Sequence, residues 1–238
     1  MTVLPLENKE RLRYLAWFDI LILTVIFWGE GIYTSTVSYI ALIQGATTVD
    51  DNLTFSAADN YGALTLQTGL LLLALLYLCL RRFDFKAWNI RITPIALVLC
   101  VPYFLGGALL MDGWMMLSGL FAEQLPFPGP IAAFFGIETV SSVIYAIFNG
   151  MYEELFFLGI CLSVKPTDIK WAVPVSLLIR FSFHTYQGLL SAFGIGILFG
   201  CYMYLLYRRS KDKNLVPFFL AHTIGDIIGL GVLGFFFY

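Results

Sequence analysis

Residues 61–80 read YGALTLQTGLLLLALLYLCL and are followed at once by Arg81 and Arg82. Twenty positions pass without a charge. As a helix this run is about 30 Å long, the thickness of a bilayer's hydrocarbon core. It does not alternate with period two and is too long for a barrel strand. Six more runs of the same character flank it, over about 17–40, 93–110, 130–164, 171–187, 188–207 and 215–237. The expectation is an all-α polytopic bundle of about seven transmembrane helices, or eight if the long fourth run is split.

Composition agrees. Of 238 residues, 59% are hydrophobic, 17% aromatic and only 13% charged, with a mean hydropathy of +0.82. A soluble domain carries about 25% charge. Cys79, Cys100, Cys161 and Cys201 all fall inside apolar runs without metal-type spacing, so they read as small core or lipid-facing residues. The first run lacks a small-residue cleavage site and reads as a retained helix.

Orientation follows from the basic residues. Lys9, Arg11 and Arg13 precede the first run; Arg81, Arg82, Lys86 and Arg91 follow the second. Lys165 and Lys170 follow the fourth, and Arg208, Arg209, Lys211 and Lys213 follow the sixth. Every Lys and Arg except Arg180 lies in these four segments, which alternate correctly. The intervening loops carry acids instead. Basic loops stay inside, so the N-terminus is expected in the cytoplasm. Trp17, Trp28, Trp114, Trp171 and Tyr207 fall near expected span ends and read as interface anchors. Gly194, Gly196 and Gly200 in the sixth run, and Gly225, Gly229, Gly231 and Gly234 in the seventh, permit close helix contact.

Any chemistry must come from polar groups inside the runs, because a charge at that depth is costly and usually marks a pairing or a function. The candidates are Asp19 and Glu30 in the first run, Glu138, Glu153 and Glu154 in the fourth, Arg180 and His184 in the fifth, and His222 and Asp226 in the seventh. Asp19, near the boundary, reads as solvated; Glu30 reads as a cavity residue or a partner of Arg180. The two histidines are the only ones in the chain. Each has a charged residue four positions away, on its own helix face. At about 1.5 Å per residue from the basic end, Glu153, His184, His222 and Asp226 lie about 16, 20, 10 and 17 Å deep. One common site is geometrically open to them. Carboxylates and imidazoles are zinc ligand types and also a general-base set for activating water. Structural ion pairing between helices is the alternative.

Three motifs in order give this set a family likeness. Glu153-Glu154-Leu155-Phe156-Phe157-Leu158-Gly159 resembles the EExxxR-Gly motif of the CAAX protease and bacteriocin-processing (CPBP, or Abi) family of intramembrane metalloproteases. Arg180-Phe181-Ser182-Phe183-His184 resembles its FxxxH motif, and His222-Thr223-Ile224-Gly225-Asp226 its HxxxN/D motif. His184-Thr185-Tyr186-Gln187-Gly188 is similar to a bacterial subgroup with an RxxxHxYQG pattern. Two positions depart from the family: Leu158 stands in place of the first-motif Arg, and Arg180 in place of the second-motif Phe. A positional swap would let Arg180 supply, from the fifth helix, the cation missing at Leu158. The likeness divides the chain into an N-terminal three-helix membrane region without motifs, residues 1–129, and a catalytic membrane core, residues 130–238, within one integrated membrane domain.

The resemblance implies an endopeptidase of the bacterial cytoplasmic membrane that hydrolyses a peptide bond in or at the bilayer. Its substrate would be a membrane-associated or lipidated peptide or protein; nucleic acid is not expected. Glu153 would be the general base, Glu154 the partner of Arg180 or of a neighbouring helix, and His184 a holder of the water or of a metal. His222 with Asp226 would occupy the place of the family's oxyanion group. An ionised Asp226 cannot donate to an oxyanion, so it would orient His222, bind a metal or be held protonated. With a divalent metal, zinc first by donor type, the ligands would come from Glu153, His184, His222 and Asp226; a glutamate mechanism without metal is equally compatible. The rival classes are a non-catalytic scaffold or bacteriocin-immunity protein of the same family, and a proton- or ion-coupled carrier.

Overall fold

The computed structural model describes residues 11–119 and 137–233, apart from the side chains of residues 137–139. The Glu138 side chain, Gly234 and the expected start of the fourth run lie outside what is described. The architecture is an all-α bundle. Its helices are α1 (Trp17–Ile43), α2 (Val49–Leu53), α3 (Ala57–Leu80), α4 (Pro94–Ser118) and α5 (Ile137–Glu154). They continue with α6 (Ile169–Phe183), α7 (Leu189–Phe193), α8 (Gly200–Arg209) and α9 (Val216–Ile228). A π-helical turn, Leu155–Ile160, extends α5, and a second, Gly194–Phe199, joins α7 to α8 into one rod. Among the described residues five helices are long and apolar enough to cross a bilayer; α9 is a shorter apolar helix, and α6 has 15 residues.

The ends of these helices follow local chemistry. Thr93 accepts a hydrogen bond from the Ala96 N–H and Pro94 opens α4, a donor-free first position. Ser56 and Asp59 cap α3 reciprocally. The short α2, which the sequence reading did not anticipate, begins with the same device from Thr48 and Asp51. Gly229, at φ +92°, ends α9 where a side chain would be strained.

Short backbone pairings gather four chain segments at one end of the bundle. Leu12 pairs with Phe83, Leu15 with Val164, and Asn89 with Asn214. These are the four basic segments, so the alternation expected from charge is present in the structure. Asp19 sits just inside this end. It is fully buried, not solvated as its position suggested: its carboxylate accepts from Arg81 Nε at 2.7 Å, Tyr77 Oη at 2.6 Å and the Ala16 N–H at 2.9 Å. Three donors offset the loss of water.

The α5 rod is the central element. Two thirds (67%) of the apolar 18-residue stretch within Val140–Ile160 is buried, against 33% or less for the corresponding stretches of the other long helices. It packs most extensively on α9 and also on α3. Its π turn is buried throughout. Phe156 and Phe157 enter an aromatic cluster with Phe27, Trp28, Tyr152 and Phe183. Trp28 stacks on Phe183 with ring centroids 4.0 Å apart and on Phe157 at 5.4 Å. It is thus a core residue, not an interface anchor. It stands eleven residues into α1, about 17 Å from its start, too deep for a headgroup contact.

Small residues admit the second rod. A Cβ on Gly200 would lie 2.7 Å from Leu177, one on Gly194 2.6 Å from Trp114, and one on Gly196 would meet the Phe181 backbone. The α7–α8 rod therefore lies against α6 and α4 at glycine-only distance, as the sequence suggested for these three positions. Gly196→Val is expected to destabilise the chain by about 1–3 kcal/mol, because backbone cannot yield as a side chain does. A thermal unfolding curve in detergent unchanged from wild type would contradict this packing.

Candidate active site

The site is assembled where α5, α6 and α9 meet. Glu153 and Glu154 close the regular part of α5 and diverge by about 100°. Glu154 is fully buried and faces α6 and α9: its Oε1 accepts from Arg180 Nη2 at 2.6 Å and from His222 Nδ1 at 2.7 Å. One carboxylate oxygen thus ties three helices together. Arg180 is almost fully buried, with its guanidinium carbon 4.2 Å from the Phe157 ring centre, a cation–π contact in a water-poor setting. Leu158 and Arg180 line the same small void. The cation brought by α6 therefore sits beside the position where the resemblance expects one on α5. Arg180 does not reach Glu30, which instead lines the cavity described below.

Glu153 points the other way. Its Oε1 accepts from Asn149 Nδ2 at 3.0 Å, while Oε2 has no hydrogen-bond partner in the protein. His222 Nε2 lies 3.8 Å from that Oε2 and 3.4 Å from Asp226 Oδ1. Carboxylate oxygens therefore flank both nitrogens of the His222 ring.

Asn149 was not singled out from the sequence, and it organises the site. One amide nitrogen donates to Glu153 and, at 2.9 Å, to Asp226 Oδ2. Its carbonyl oxygen accepts from Gln67 Nε2 at 2.9 Å. Both amide hydrogens are used, which fixes the plane of the Glu153 carboxylate. Two signals were available: Asn149 stands one helical turn before Glu153, and Gln67 is a lone amide in the apolar run that opened the reading.

His184 caps the end of α6. Its Nδ1 lies 2.8 Å from the Arg180 carbonyl oxygen. A carbonyl accepts only, so Nδ1 carries the hydrogen and Nε2 is left for other contacts. The ring packs on Phe183 at 4.2 Å between centroids. The following Thr185-Tyr186-Gln187 forms one 3-10 turn, and Gly188, at φ +86°, reverses the chain into α7. Ser35 on α1 accepts from the Tyr186 N–H at 3.0 Å, and Asn52 on α2 donates to the Tyr186 carbonyl at 2.9 Å. Hence the His-x-Tyr-Gln-Gly spacing builds a pinned corner that presents His184.

Glu153, His184, His222 and Asp226 share one cavity of about 730 Å³. The helices of residues 1–129 supply much of its wall, including Trp28, Glu30, Asn60 and Gln67. Trp28 Nε1 and Gln67 Oε1 have no hydrogen-bond partner in the protein. Two residues of the lining thus carry a buried donor and a buried acceptor without a protein partner. As the side chains stand, no three His, Cys, Asp or Glu among the described residues are grouped to hold a metal ion. The donor types for zinc are present, but they do not converge on one point.

The roles of the two glutamates separate experimentally. Glu154→Ala leaves the Arg180 guanidinium buried without its partner and is expected to cost about 3–5 kcal/mol of stability. Glu153→Gln keeps the Asn149 contact and faces a cavity, so its unfolding midpoint in detergent should match wild type. Equal destabilisation by both variants would contradict this division.

Residues 135–228 match the family model described as Type II CAAX prenyl endopeptidase Rce1-like. The matched segment holds all three motifs, from before Glu153 to beyond Asp226. No curated protein and no solved structure matches the chain.

Proposed function

We propose that this chain, a multi-pass membrane protein whose residues 135–228 match the Rce1-like type II CAAX prenyl endopeptidase family model, is an intramembrane endopeptidase in which Glu153 activates water. The observation that carries the reading is the Glu153 carboxylate itself. One oxygen is held by Asn149, and the other, buried and without a hydrogen-bond partner in the protein, belongs to a side chain that lines one cavity with His184, His222 and Asp226. A general base must be held in place and still be able to reach its proton.

In this mechanism water lies between Glu153 Oε2 and His184 Nε2. Glu153 takes one proton, and the water oxygen adds to the scissile carbonyl carbon. His222 donates from Nε2 to the oxyanion, held in orientation through Nδ1 by Glu154. The C–N bond then breaks, and Glu153 returns the proton to the leaving amine. Asp226, against His222 and Asn149, orients both. Arg180 touches no reacting atom; it holds Glu154 ionised and in place. Trp28 N–H and the Gln67 carbonyl suit a peptide carbonyl and a peptide N–H of the substrate. A divalent metal enters no step here; it is an arm of the test. The substrate is a membrane-associated peptide, and the setting proposed is the bacterial cytoplasmic membrane.

The test is cleavage of a membrane-peptide library by the purified chain in liposomes. Glu153→Gln is expected to lose at least about 100-fold in rate, with His184→Ala and His222→Ala also strongly reduced. Cleavage that survives Glu153→Gln would overturn the proposal. Chelator-sensitive cleavage with stoichiometric metal would replace the glutamate mechanism with a metal-assisted one. Full cellular function in all three variants would favour the non-catalytic scaffold.

A further inference from the structure

The cavity has a direction, and the charge pattern gives that direction a meaning. Between the site and the basic end the bundle is closed. Leu15, Phe83, Phe156, Ile160, Leu215 and Phe218 fill that layer, each 3% exposed or less. From Glu153 the cavity runs the other way, past His184 and Asn60, to the α2 segment with Asn52, Leu53 and Phe55. This far end holds Asp50, Asp51 and Asp59, and its described residues include no Lys or Arg. The backbone pairings already place the four basic segments together at the opposite end.

Loops rich in Lys and Arg remain on the cytoplasmic side. Thirteen of the fourteen Lys and Arg residues belong to the basic segments, and Arg180 alone is inside the bundle. A bias this complete orients the chain with α2 outside. We propose that the catalytic cavity opens to the extracytoplasmic face, so that the substrate is a peptide segment presented from the outer side of the membrane and not a cytosolic chain end. This builds on the peptidase reading above, since the cavity that is oriented is the one that holds Glu153.

The consequence for substrate class is concrete. A cytosolic protein with a lipidated C-terminus would meet the closed layer of apolar side chains. A translocated peptide, a segment left in the outer leaflet or a secreted peptide returning to the surface would meet the open one. The α2 segment stands at that mouth, anchored through Asn52 to the Tyr186 carbonyl at 2.9 Å.

Cysteine labelling in cells tests the direction without needing activity. Cys79, Cys100 and Cys201 lie within helices, and Cys161 is fully buried just after the π turn, so wild type is the background control for a membrane-impermeant maleimide. Phe55→Cys, at the mouth and half exposed, is expected to label in intact cells well above wild type. Lys211→Cys, in the basic loop after α8, should label only after the cells are permeabilised. The reverse pattern, or labelling of both in intact cells, would overturn the proposal. Should Phe55→Cys fail to accumulate, Asp51→Cys on the exposed face of α2 carries the same expectation. Reversed labelling with Glu153-dependent cleavage intact would remove the direction and leave the peptidase standing. Labelling as expected without any Glu153-dependent cleavage would do the opposite.

Discussion

One carboxylate oxygen, Glu154 Oε1, carries the structural logic of this protein. It accepts at 2.6 Å from an arginine on α6 and at 2.7 Å from a histidine on α9. All three groups are buried, and a charge left alone at this depth costs several kcal/mol. Each therefore requires the others, and their helices must meet at one level. The rest of the site hangs on that junction. Glu153 is the next residue on α5, His184 is one turn beyond Arg180, and Asp226 is one turn beyond His222. Fixing the clamp fixes where the three reactive groups project.

The surrounding packing protects this arrangement. Phe157 places its ring face 4.2 Å from the guanidinium carbon of Arg180, giving the cation a partner where water is scarce. The glycines at 196 and 200 let the second rod approach α6 closely enough to enclose the arginine stem; a Cβ at Gly200 would lie 3.4 Å from Arg180 Cδ. Two π-helical turns, after Glu154 and before Gly200, reset the side-chain register on either side of the clamp. Such turns commonly accompany functional groups on helices. Asn149 performs the corresponding service for Glu153, holding one oxygen and leaving the other for chemistry.

Much of this was legible in the sequence for a physical reason. In a bilayer, charge is so costly that each ionised residue within a run marks a pairing or a function. Most apolar runs begin within a few residues of a helix start, although α4 continues to Ser118, past its expected end at 110, and α9 stops at Ile228, short of 237; the basic loops gave the alternation that the backbone pairings display. Errors arose where solvation was judged from sequence position alone. Asp19 looked solvated because it is near a helix start, yet Tyr77 and Arg81 from α3 enclose it. Trp28 looked like an interface residue because aromatic residues often are, yet its partners Phe157 and Phe183 come from helices far away in sequence. Asn149 and Gln67 are harder to read from sequence, because neutral amides in apolar runs carry no charge to flag them. Their importance depends on a contact between α3 and α5 that spacing does not reveal. The α2 segment escaped because five residues give no usable period.

The departure at Leu158 bears most directly on the clamp. If the clamp needs a buried cation, and the helix that supplies it is secondary, then relocating the charge should preserve the site. The decisive measurement is the stability and peptide cleavage of Arg180→Leu beside the double variant Leu158→Arg, Arg180→Leu. The single variant is expected to lose both, and the double variant to regain a substantial part of each, because both positions border the same small void. An Arg180→Leu variant that keeps wild-type stability and cleavage would contradict this expectation.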